Sequence, residues 1–282
     1  MRDSHLQTRT LTDALNVAHG VLRSRGTALQ SPLDRERLDA SFAREPYPRF
    51  FDAWAFLADN FDVAVDALKS VAPDLAVKLV PPADSRDFTV VGNCSLDLRF
   101  AADPNGAAFV PIDLRNGQRV AGARVVCSSA RVHSSGLVEL PASERDAKVY
   151  FYSPPRDSAV SAAELARDVF RNRGRVASIG VTLQFPAART SRLPEYGWVT
   201  ALRSTCGLYF IRDFLSGGEA LVDHNGFFAR ETQVVQVAYR SVPMQPPKVV
   251  IDGPFLVFFA DENGVHAAAW FSWDSFNPTP TH

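Results

Sequence analysis

Acid–base side chains lie next to each other at Asp223-His224, and Asn225-Gly226 follows them directly. A carboxylate beside an imidazole can serve as a general acid–base pair. The same four residues are also typical of a turn between two strands, because an Asp side chain accepts hydrogen bonds from the backbone that follows it. We favour the turn and retain the acid–base pair as the alternative.

Three more side chains are weak candidates for catalysis, namely His133, Cys206 and Tyr209. His133 lies between two serine-rich stretches and could activate a nearby serine, although the pattern favours a histidine in a surface loop. Cys206 precedes Gly207 and Tyr209 with no histidine at a useful spacing, which favours a buried structural thiol. No Gly-x-Ser-x-Gly, His-Glu-x-x-His, Gly-x-Gly-x-x-Gly or Walker motif occurs in the sequence. We therefore expect no metal site and no bound cofactor, and an enzyme of this sequence would have to act through the shape of a pocket.

The size and charge of the chain limit its class. With 282 residues, of which 46% are hydrophobic, it can bury a sizeable core as one domain or two small ones. The formal net charge is −1 and the sequence pI is about 6.6, so we expect no binding to nucleic acid or to an acidic membrane. The amino terminus lacks the apolar segment of a signal peptide, and no run approaches the ~18 apolar residues of a transmembrane helix. These features predict a soluble, cytoplasmic protein.

The cysteines also bear on the compartment. Cys94, Cys127 and Cys206 are widely spaced and form no Cys-x-x-Cys pair. We therefore expect reduced, buried thiols, and neither a zinc site nor a disulfide framework.

Helical patterns concentrate near the amino terminus. Residues 12–25 place apolar side chains on one side and stop at Gly26, as an amphipathic helix does. Much later in the chain, Ser161-Ala-Ala-Glu164 has the form of a capping box and opens a helix that extends to about Arg171. The other expected helices cover residues 34–44, 50–57, 63–71 and 199–203.

Strand patterns begin near residue 77. Residues 255–259 form an unbroken β-branched and aromatic run, so we expect this strand to be covered on both faces. Asn263-Gly264 then predicts a hairpin with residues 265–273, and Asn116-Gly117 predicts a second hairpin. The other expected strands cover residues 88–91, 96–100, 109–114, 120–126, 136–140, 148–152, 181–185, 233–242 and 249–251. No repeat or linker divides the chain, which predicts one α+β domain.

Short motifs occur in a characteristic order along most of the chain. The carboxy-terminal motif is Asp252-Gly-Pro-Phe-Leu-Val-Phe-Phe259, with a Pro-Pro pair before it and Asn277-Pro278 after it. Other motifs are Ser31-Pro-Leu33, Val77-Lys-Leu-Val-Pro-Pro82, Phe88-Thr-Val-Val-Gly-Asn93, Gly136-Leu-Val-Glu-Leu-Pro141, Val181-Thr-Leu-Gln-Phe-Pro186, Asp213-Phe-Leu-Ser-Gly217 and Thr232-Gln-Val-Val-Gln-Val-Ala-Tyr239. Together they resemble the signature of the serpins, a family of serine protease inhibitors.

The resemblance implies a serpin-like fold of the α+β class. Such a fold has a large mixed β-sheet, a second β-sheet and covering helices. Because the chain is on the order of 90 residues shorter than the family's usual length, we expect a reduced set of these helices. We therefore expect a single, shortened, bacterial serpin-like domain over residues 1–282.

Inhibition in this family depends on a reactive loop that, once cleaved, inserts as a new central strand of the large sheet. Here Pro243-Met244-Gln245 alone joins the expected pre-loop strand to the Pro-Pro pair, so we expect the reactive loop to be missing. An alternative alignment leaves Pro243 and Met244 as a loop remnant, with Met244 in the specificity position. The hinge would then contain Arg230-Glu231, and burial of an unpaired charge in a closing sheet would cost several kcal/mol. We therefore expect a non-inhibitory protein.

A shortened helical layer should uncover part of the sheet, and another chain, repacked aromatic residues or a ligand must then cover it. We expect the chain to bind a small apolar molecule or a partner protein, including a second copy of itself. A cofactor-independent enzyme of specialised metabolism, which cyclises or isomerises an apolar metabolite, is the first alternative, and a protease inhibitor is the second. The aromatic residues proposed to line the ligand pocket are Trp54, Trp198, Phe227, Phe228 and Trp270.

Overall fold

The fold is known from a computed structural model, which describes residues 3–44, 46–81, 86–144, 147–154, 161–193, 198–199, 201–211, 214–231 and 248–276. The helices and strands of these ranges, in chain order, are β1 (His5–Thr8), α1 (Thr10–Ser24), α2 (Leu33–Ser41), β2 (Asp52–Ala58), α3 (Phe61–Val71), α4 (Pro73–Ala76), β3 (Thr89–Arg99), β4 (Ala107–Asp113), β5 (Arg119–His133), β6 (Val138–Pro141), β7 (Lys148–Tyr152), α5 (Ala162–Arg171), β8 (Val176–Pro186), β9 (Ala188–Thr190), β10 (Glu219–Val222), β11 (Gly226–Glu231), β12 (Lys248–Val250), β13 (Phe255–Asp261) and β14 (Gly264–Phe271). A short 3-10 turn at Trp273–Ser275 follows them.

The larger sheet is mixed, as expected. Within the described ranges it has nine strands, in the order β1-β14-β13-β7-β6-β5-β8-β12, with β4 paired to β5 beside this path. β12 runs parallel to β8, and the other neighbours are antiparallel. The β4–β5 hairpin turns at Asn116-Gly117, where Gly117 has a φ of 85°, and the β13–β14 hairpin turns at Asn263-Gly264. Both hairpins confirm the sequence-based predictions.

In the smaller sheet, every pair of neighbouring strands within the described residues is antiparallel. Its order is β2-β3-β11-β10-β9. β11 pairs with β3 from Gly226 opposite Arg99 to Glu231 opposite Cys94, and it pairs with β10 on its other side. Since β11 is antiparallel to both neighbours, β3 and β10 run parallel to each other with β11 between them.

The main core lies between the two sheets. The smaller sheet contributes Leu96 and Leu98 of β3 and Phe227 of β11, each at most 1% exposed. The larger sheet contributes Phe185 and Phe259, which are fully buried. Burial of one such side chain contributes roughly 1.5–3 kcal/mol before the entropy of ordering is counted. Every residue of β13 except the last is fully buried, so this strand is covered on both faces as its sequence predicts.

Helices cover the outer faces of both sheets. α5 begins at the predicted capping box, in which Ser161 Oγ accepts from the Glu164 backbone and the Glu164 carboxylate accepts from the Ser161 backbone. Ala162, Ala163 and Ala166 are small, as are the alanines of β14, and this helix therefore packs closely on the larger sheet. α3 covers β2 and β3 of the smaller sheet. Among the described residues, no helix combines the length and the apolarity that a membrane crossing requires.

Three expected elements differ in the structure. Residues 50–57 were expected to be helical, but Asp52–Ala58 pairs with β3 over its whole length, since tertiary pairing overrides a weak helical propensity. The strands expected at residues 88–91 and 96–100 form one continuous strand, Thr89–Arg99. The short helix expected at residues 199–203 is absent from the described part of that segment, where Ala201 and Leu202 make turn hydrogen bonds and Arg203 pairs with Phe210. The strand expected at 233–242 lies outside the described residues.

Candidate functional site

His133 is buried in the structure, so the surface-loop interpretation is wrong. Only 5% of its surface is exposed, at the end of β5. Its Nε2 atom lies 3.1 Å from Oε2 of Glu139, and it donates its proton to that carboxylate. Arg131 and Lys148 lie 3.7 and 3.3 Å from the other carboxylate oxygen. His133 thus belongs to a cluster of charged and polar side chains around the buried Glu139 carboxylate.

Tyr150 continues this cluster across the sheet. Arg131, Glu139 and Tyr150 are direct cross-strand neighbours on β5, β6 and β7, so their side chains share one face. Burial raises the pKa of Tyr150 above its ordinary value, and the Glu139 carboxylate raises it further. Phe170 of α5 and Phe258 pack against the ring at centroid distances of 5.3 and 5.1 Å. These contacts connect β5, β6 and β7 beneath α5, so the cluster has a structural role.

Asp223 and His224 form the turn that joins β10 to β11. The Asp223 carboxylate accepts from the Asn225 backbone at 2.7 Å and from the Asn225 side chain at 3.3 Å, which is an Asx turn. The ring of His224 packs on Phe109 instead, at a centroid distance of 3.8 Å. The carboxylate is therefore engaged with the backbone of the turn that leads into β11.

Cys206 is exposed, in contrast to the buried thiol expected from the sequence, whereas Cys94 and Cys127 are buried as expected. Its Sγ atom lies 3.2 Å from Ser204 Oγ. Hydrogen bonds from Ser204, then from Thr27 and the Leu208 backbone, lower the pKa of the Cys206 thiol to about 7. Tyr209 packs beside the same loop, with the Arg25 guanidinium 5.5 Å from its ring centre.

The five aromatic residues proposed for an apolar pocket do not share one. Trp54 packs with Phe56 under α3, whereas Phe227 is fully buried between the two sheets. Trp198 and Trp270 lie together on the α5 side of the larger sheet, and Phe228 is half-buried on the outer face of the smaller sheet. Four of these side chains thus serve in three separate parts of the core.

The expected loop remnant at Pro243 and Met244 lies outside the described residues. Within the described ranges, no group of three His, Cys, Asp or Glu side chains is placed to hold a metal ion.

A cleft between α1 and α2, which the sequence analysis did not identify, has a volume of about 510 Å³. At one end, Arg35 Nη2 donates to Asn16 Oδ1 at 2.9 Å, and at the other end Arg9 Nη1 donates to the Ala43 carbonyl oxygen at 2.7 Å. Two arginines and three carboxylates make the lining polar. This α1–α2 cleft is lined by Arg9, Thr12, Asp13, Asn16, Glu36, Asp39, Ala40, Ala43 and Arg44.

Directly behind the cleft lies a buried polar group of side chains. The Arg9 guanidinium stacks over the ring of Tyr47, 4.3 Å from its centre. The ring of Tyr47 lies 5.9 Å from that of His266, and His266 Nε2 lies 3.0 Å from Asp261 Oδ2. Burial lowers the pKa of His266, against the opposing effect of Asp261. Burial also raises the pKa of Tyr47. Both side chains are therefore held neutral near pH 7.

Two sequence signals could have located this region. Arg9, the residue directly before α1, is spaced four residues from Asp13, as Arg35 is from Asp39 on α2, and both pairs form in the structure. His266 interrupts a strand that is otherwise apolar. Nothing in the sequence, however, shows that the two helices lie side by side.

Known proteins share this architecture, although a scan against protein-family models and a search of curated proteins find no match. A serpin from the trematode Schistosoma haematobium is 11% identical with a TM-score of 0.57, and the match covers 98% of this chain and 94% of that one. A cleaved serpin is 9% identical with a TM-score of 0.57, and the match covers 99% and 93%. Human thyroxine-binding globulin in complex with thyroxine is 9% identical with a TM-score of 0.54, and the match covers 95% and 91%.

The chain has the serpin fold. The full-length coverage confirms the large mixed sheet, the second sheet and the small set of helices that the motifs predicted. The likeness at this identity concerns the fold alone and assigns no activity.

Within this serpin fold, β11 holds the middle of the smaller, antiparallel sheet. Its neighbours β3 and β10 run parallel, which is the arrangement that a strand inserted antiparallel to both requires. β11 itself lies between β3 and β10, as the second strand of the β10–β11 hairpin that the Asx turn at Asp223 closes.

Proposed function

We propose that this protein is a non-inhibitory serpin-fold protein whose function is to bind a small ligand or a partner protein. The observation that carries the proposal is the position of β11. Inhibition by loop insertion needs a free place between two parallel strands of one sheet. The motif Phe88–Asn93, which resembles a strand of the sheet that receives the loop in serpins, runs into β3, so we take the smaller sheet of this chain as the counterpart of that sheet. Here Gly226–Glu231 already occupies the place between β3 and β10, hydrogen-bonded on both sides.

Displacement of β11 would be costly. Its Phe227 is fully buried in the core between the sheets, and Ala229 is 1% exposed. An inserting strand would have to expose both side chains and break two ladders of hydrogen bonds before it could form its own. The proposal therefore does not depend on the residues near Met244.

Amide hydrogen exchange tests the position of β11. We expect the amides of Phe227, Phe228 and Ala229 to exchange as slowly as those of Leu96 and Leu98 in the adjacent strand β3. As a functional measurement, incubation with a panel of serine and cysteine proteases should give no SDS-stable complex. Rapid exchange of β11, or one such complex, would refute the non-inhibitory proposal.

The binding part of the proposal has a precedent in the fold, since thyroxine-binding globulin was solved with a small ligand. The described cleft between α1 and α2 is polar, which favours a polar ligand over the apolar one suggested by the aromatic content. A partner protein is the other option, supported by exposed apolar side chains such as Ile179, 71% exposed, and Leu208, 79% exposed. Sedimentation equilibrium would reveal a homo-oligomer.

A cofactor-independent enzyme is the second candidate, and the Tyr47–His266–Asp261 group favours it. A neutral imidazole against a carboxylate in apolar surroundings can act as a general base. The ring of Phe51 lies 5.8 Å and that of Phe259 5.5 Å from the ring of His266, which provides those surroundings. Under this alternative, His266→Gln would abolish turnover of an apolar metabolite while the protein stays folded by circular dichroism.

A further inference from the structure

β2 forms an open edge of the smaller sheet. It pairs with β3 along its whole length, and no described strand pairs with its other side. Every residue from Ala53 to Phe56 is partly exposed, although successive side chains of a strand point to opposite faces of the sheet. Three of the residues opposite them on β3, namely Val91, Asn93 and Cys94, are at most 4% exposed. This contrast indicates that the outer side of β2 is open to solvent.

The other terminal strands of the two sheets are protected in ways that natural edge strands use. Three of the four residues of β1 are buried, and the Leu6 backbone donates to the Arg192 carbonyl oxygen. β4 contains Pro111, which has no N–H group for a further strand. β9 and β12 have only three residues each. β2 has none of these features, since its seven residues include no proline and pair with β3 in a continuous register.

The sequence of β2 is complementary to itself in shape. In an antiparallel pair of two β2 strands centred on Ala55, Trp54 of one copy lies opposite Phe56 of the other. The rings of these two residues already pack within one chain, with centroids 5.4 Å apart, so the pair would extend an aromatic cluster across the axis. Leu57, which is 38% exposed in the single chain, would lie opposite Ala53 and become covered.

The charges of β2 also favour a second copy. Asp52, the first residue, is the only charged residue of the strand. In the centred pair it lies opposite Ala58 of the other copy, so no like charges face each other. Residues 53–58 carry no charge that would select an acidic or a basic partner. An antiparallel pair of identical strands needs only one edge that matches itself.

We propose that β2 mediates a symmetric homodimer, in which the β2 strands of two chains pair antiparallel and join the two smaller sheets into one. The outer N–H and C=O groups of each β2 would form ladder hydrogen bonds in place of bonds to water. The partner-binding part of the proposed function thereby gains a specific partner, a second copy of this chain, and the inference rests on that part. It does not depend on the position of β11.

Sedimentation equilibrium of the full chain, combined with amide hydrogen exchange, tests this interface. Alternate residues of an edge strand direct their N–H groups away from the neighbouring strand. About half of the β2 amides should therefore exchange rapidly in dilute, monomeric protein and slowly at concentrations where the dimer predominates. A chain that stays monomeric up to about 100 μM, or a dimer in which these amides remain unprotected, would overturn the proposal.

A matched pair of variants locates the interface. Leu57→Lys should raise the dissociation constant of the dimer at least about tenfold, because the ammonium group would lose water inside the strand pair. Leu33→Lys makes the same change at a leucine that is 61% exposed at the start of α2, and it should leave the dissociation constant unchanged. Circular dichroism verifies that both variants are folded, and equal losses in the two would contradict the interface.

The same exchange experiment separates this inference from the non-inhibitory function. If the chain remains monomeric while the β11 amides exchange slowly and no protease complex forms, the dimer is refuted and the non-inhibitory function stands. If the dimer forms but β11 exchanges rapidly, the self-association stands and the non-inhibitory function is refuted.

Discussion

At the scale of single residues, we expect Cys206 to be more reactive than Cys94 and Cys127. It is exposed, and hydrogen bonds from Ser204 and Thr27 lower its pKa to about 7. Iodoacetamide reacts with the thiolate, so the alkylation rate at Cys206 should be half-maximal near pH 7 and approach a plateau above pH 8. Peptide mapping by mass spectrometry identifies the modified cysteine.

Ser204→Ala is the matched test of this explanation. Loss of the Ser204 hydroxyl should move the half-point of the rate to higher pH, because the thiolate loses its first hydrogen bond. Cys94 and Cys127 are each 1% exposed and should react only after denaturation. An unchanged profile in Ser204→Ala would show that the hydroxyl does not control the thiol.

His266 should make the stability of the protein depend on pH. Burial lowers its pKa in the folded state below the ordinary value of 6.5. Between that lowered pKa and pH 6.5 the unfolded chain binds a proton that the folded chain does not, so the free energy of unfolding falls as the pH falls. Urea denaturation at pH 7, 6 and 5 should show this loss.

The His266→Gln variant separates the contribution of His266 to this pH dependence from the contributions of other groups. His5 and His19 also have lowered pKa values, so the variant should keep a shallower loss of stability between pH 7 and pH 5. Asp13, whose pKa is raised, acts in the opposite direction but at more acidic pH. A slope as steep as that of the wild type would assign the effect to other groups.

At the scale of elements, β11 has two unlike faces. Phe227 is fully buried between the sheets, whereas its neighbour Phe228 is half-buried on the outer face. Phe227→Ala should therefore lower the free energy of unfolding by about 3–5 kcal/mol, and Phe228→Ala by about 1 kcal/mol. Urea denaturation measures both. Equal losses would show that the two side chains are equally packed and would contradict the position of β11 in the sheet.

The sequence predicts those elements whose local signal agrees with their tertiary surroundings. Asn116-Gly117 and Asn263-Gly264 demand tight turns, and both hairpins form where expected. The capping box at Ser161 likewise marks the start of α5. The segment Asp52–Ala58 was predicted wrongly, because its alanine and aromatic residues favour a helix locally. It forms a strand only because it pairs with β3.

The candidate site could not be predicted in the same way. Arg9 precedes α1, Asp39 lies on α2 and His266 lies on β14, and only the folded chain brings these distant segments together. The aromatic residues gave a misleading signal, since a Phe or Trp in a strand is equally typical of plain core. The position of β11 in its sheet could not be predicted from the sequence either, because strand order depends on pairing between distant segments.

At the scale of the whole molecule, the smaller sheet should have no place for another strand. A serpin-fold chain that can still insert a cleaved loop becomes much more stable on cleavage, because the loop completes the sheet. Here β3, β11 and β10 already form a continuous antiparallel ladder. We expect cleavage after Met244, at an inserted site for a specific protease, to change the melting temperature by less than about 5 °C.

The control for this experiment is the uncleaved protein with the same insertion, so that the inserted residues cancel. A strand freed by the cut could enter between β3 and β10 only if β11 left, which would expose Phe227 and Ala229 to water. Scanning calorimetry of the two forms should therefore give nearly coincident transitions. A rise of tens of degrees after cleavage would mean that β11 yields its position, and the chain would then have the mechanical property on which protease inhibition depends.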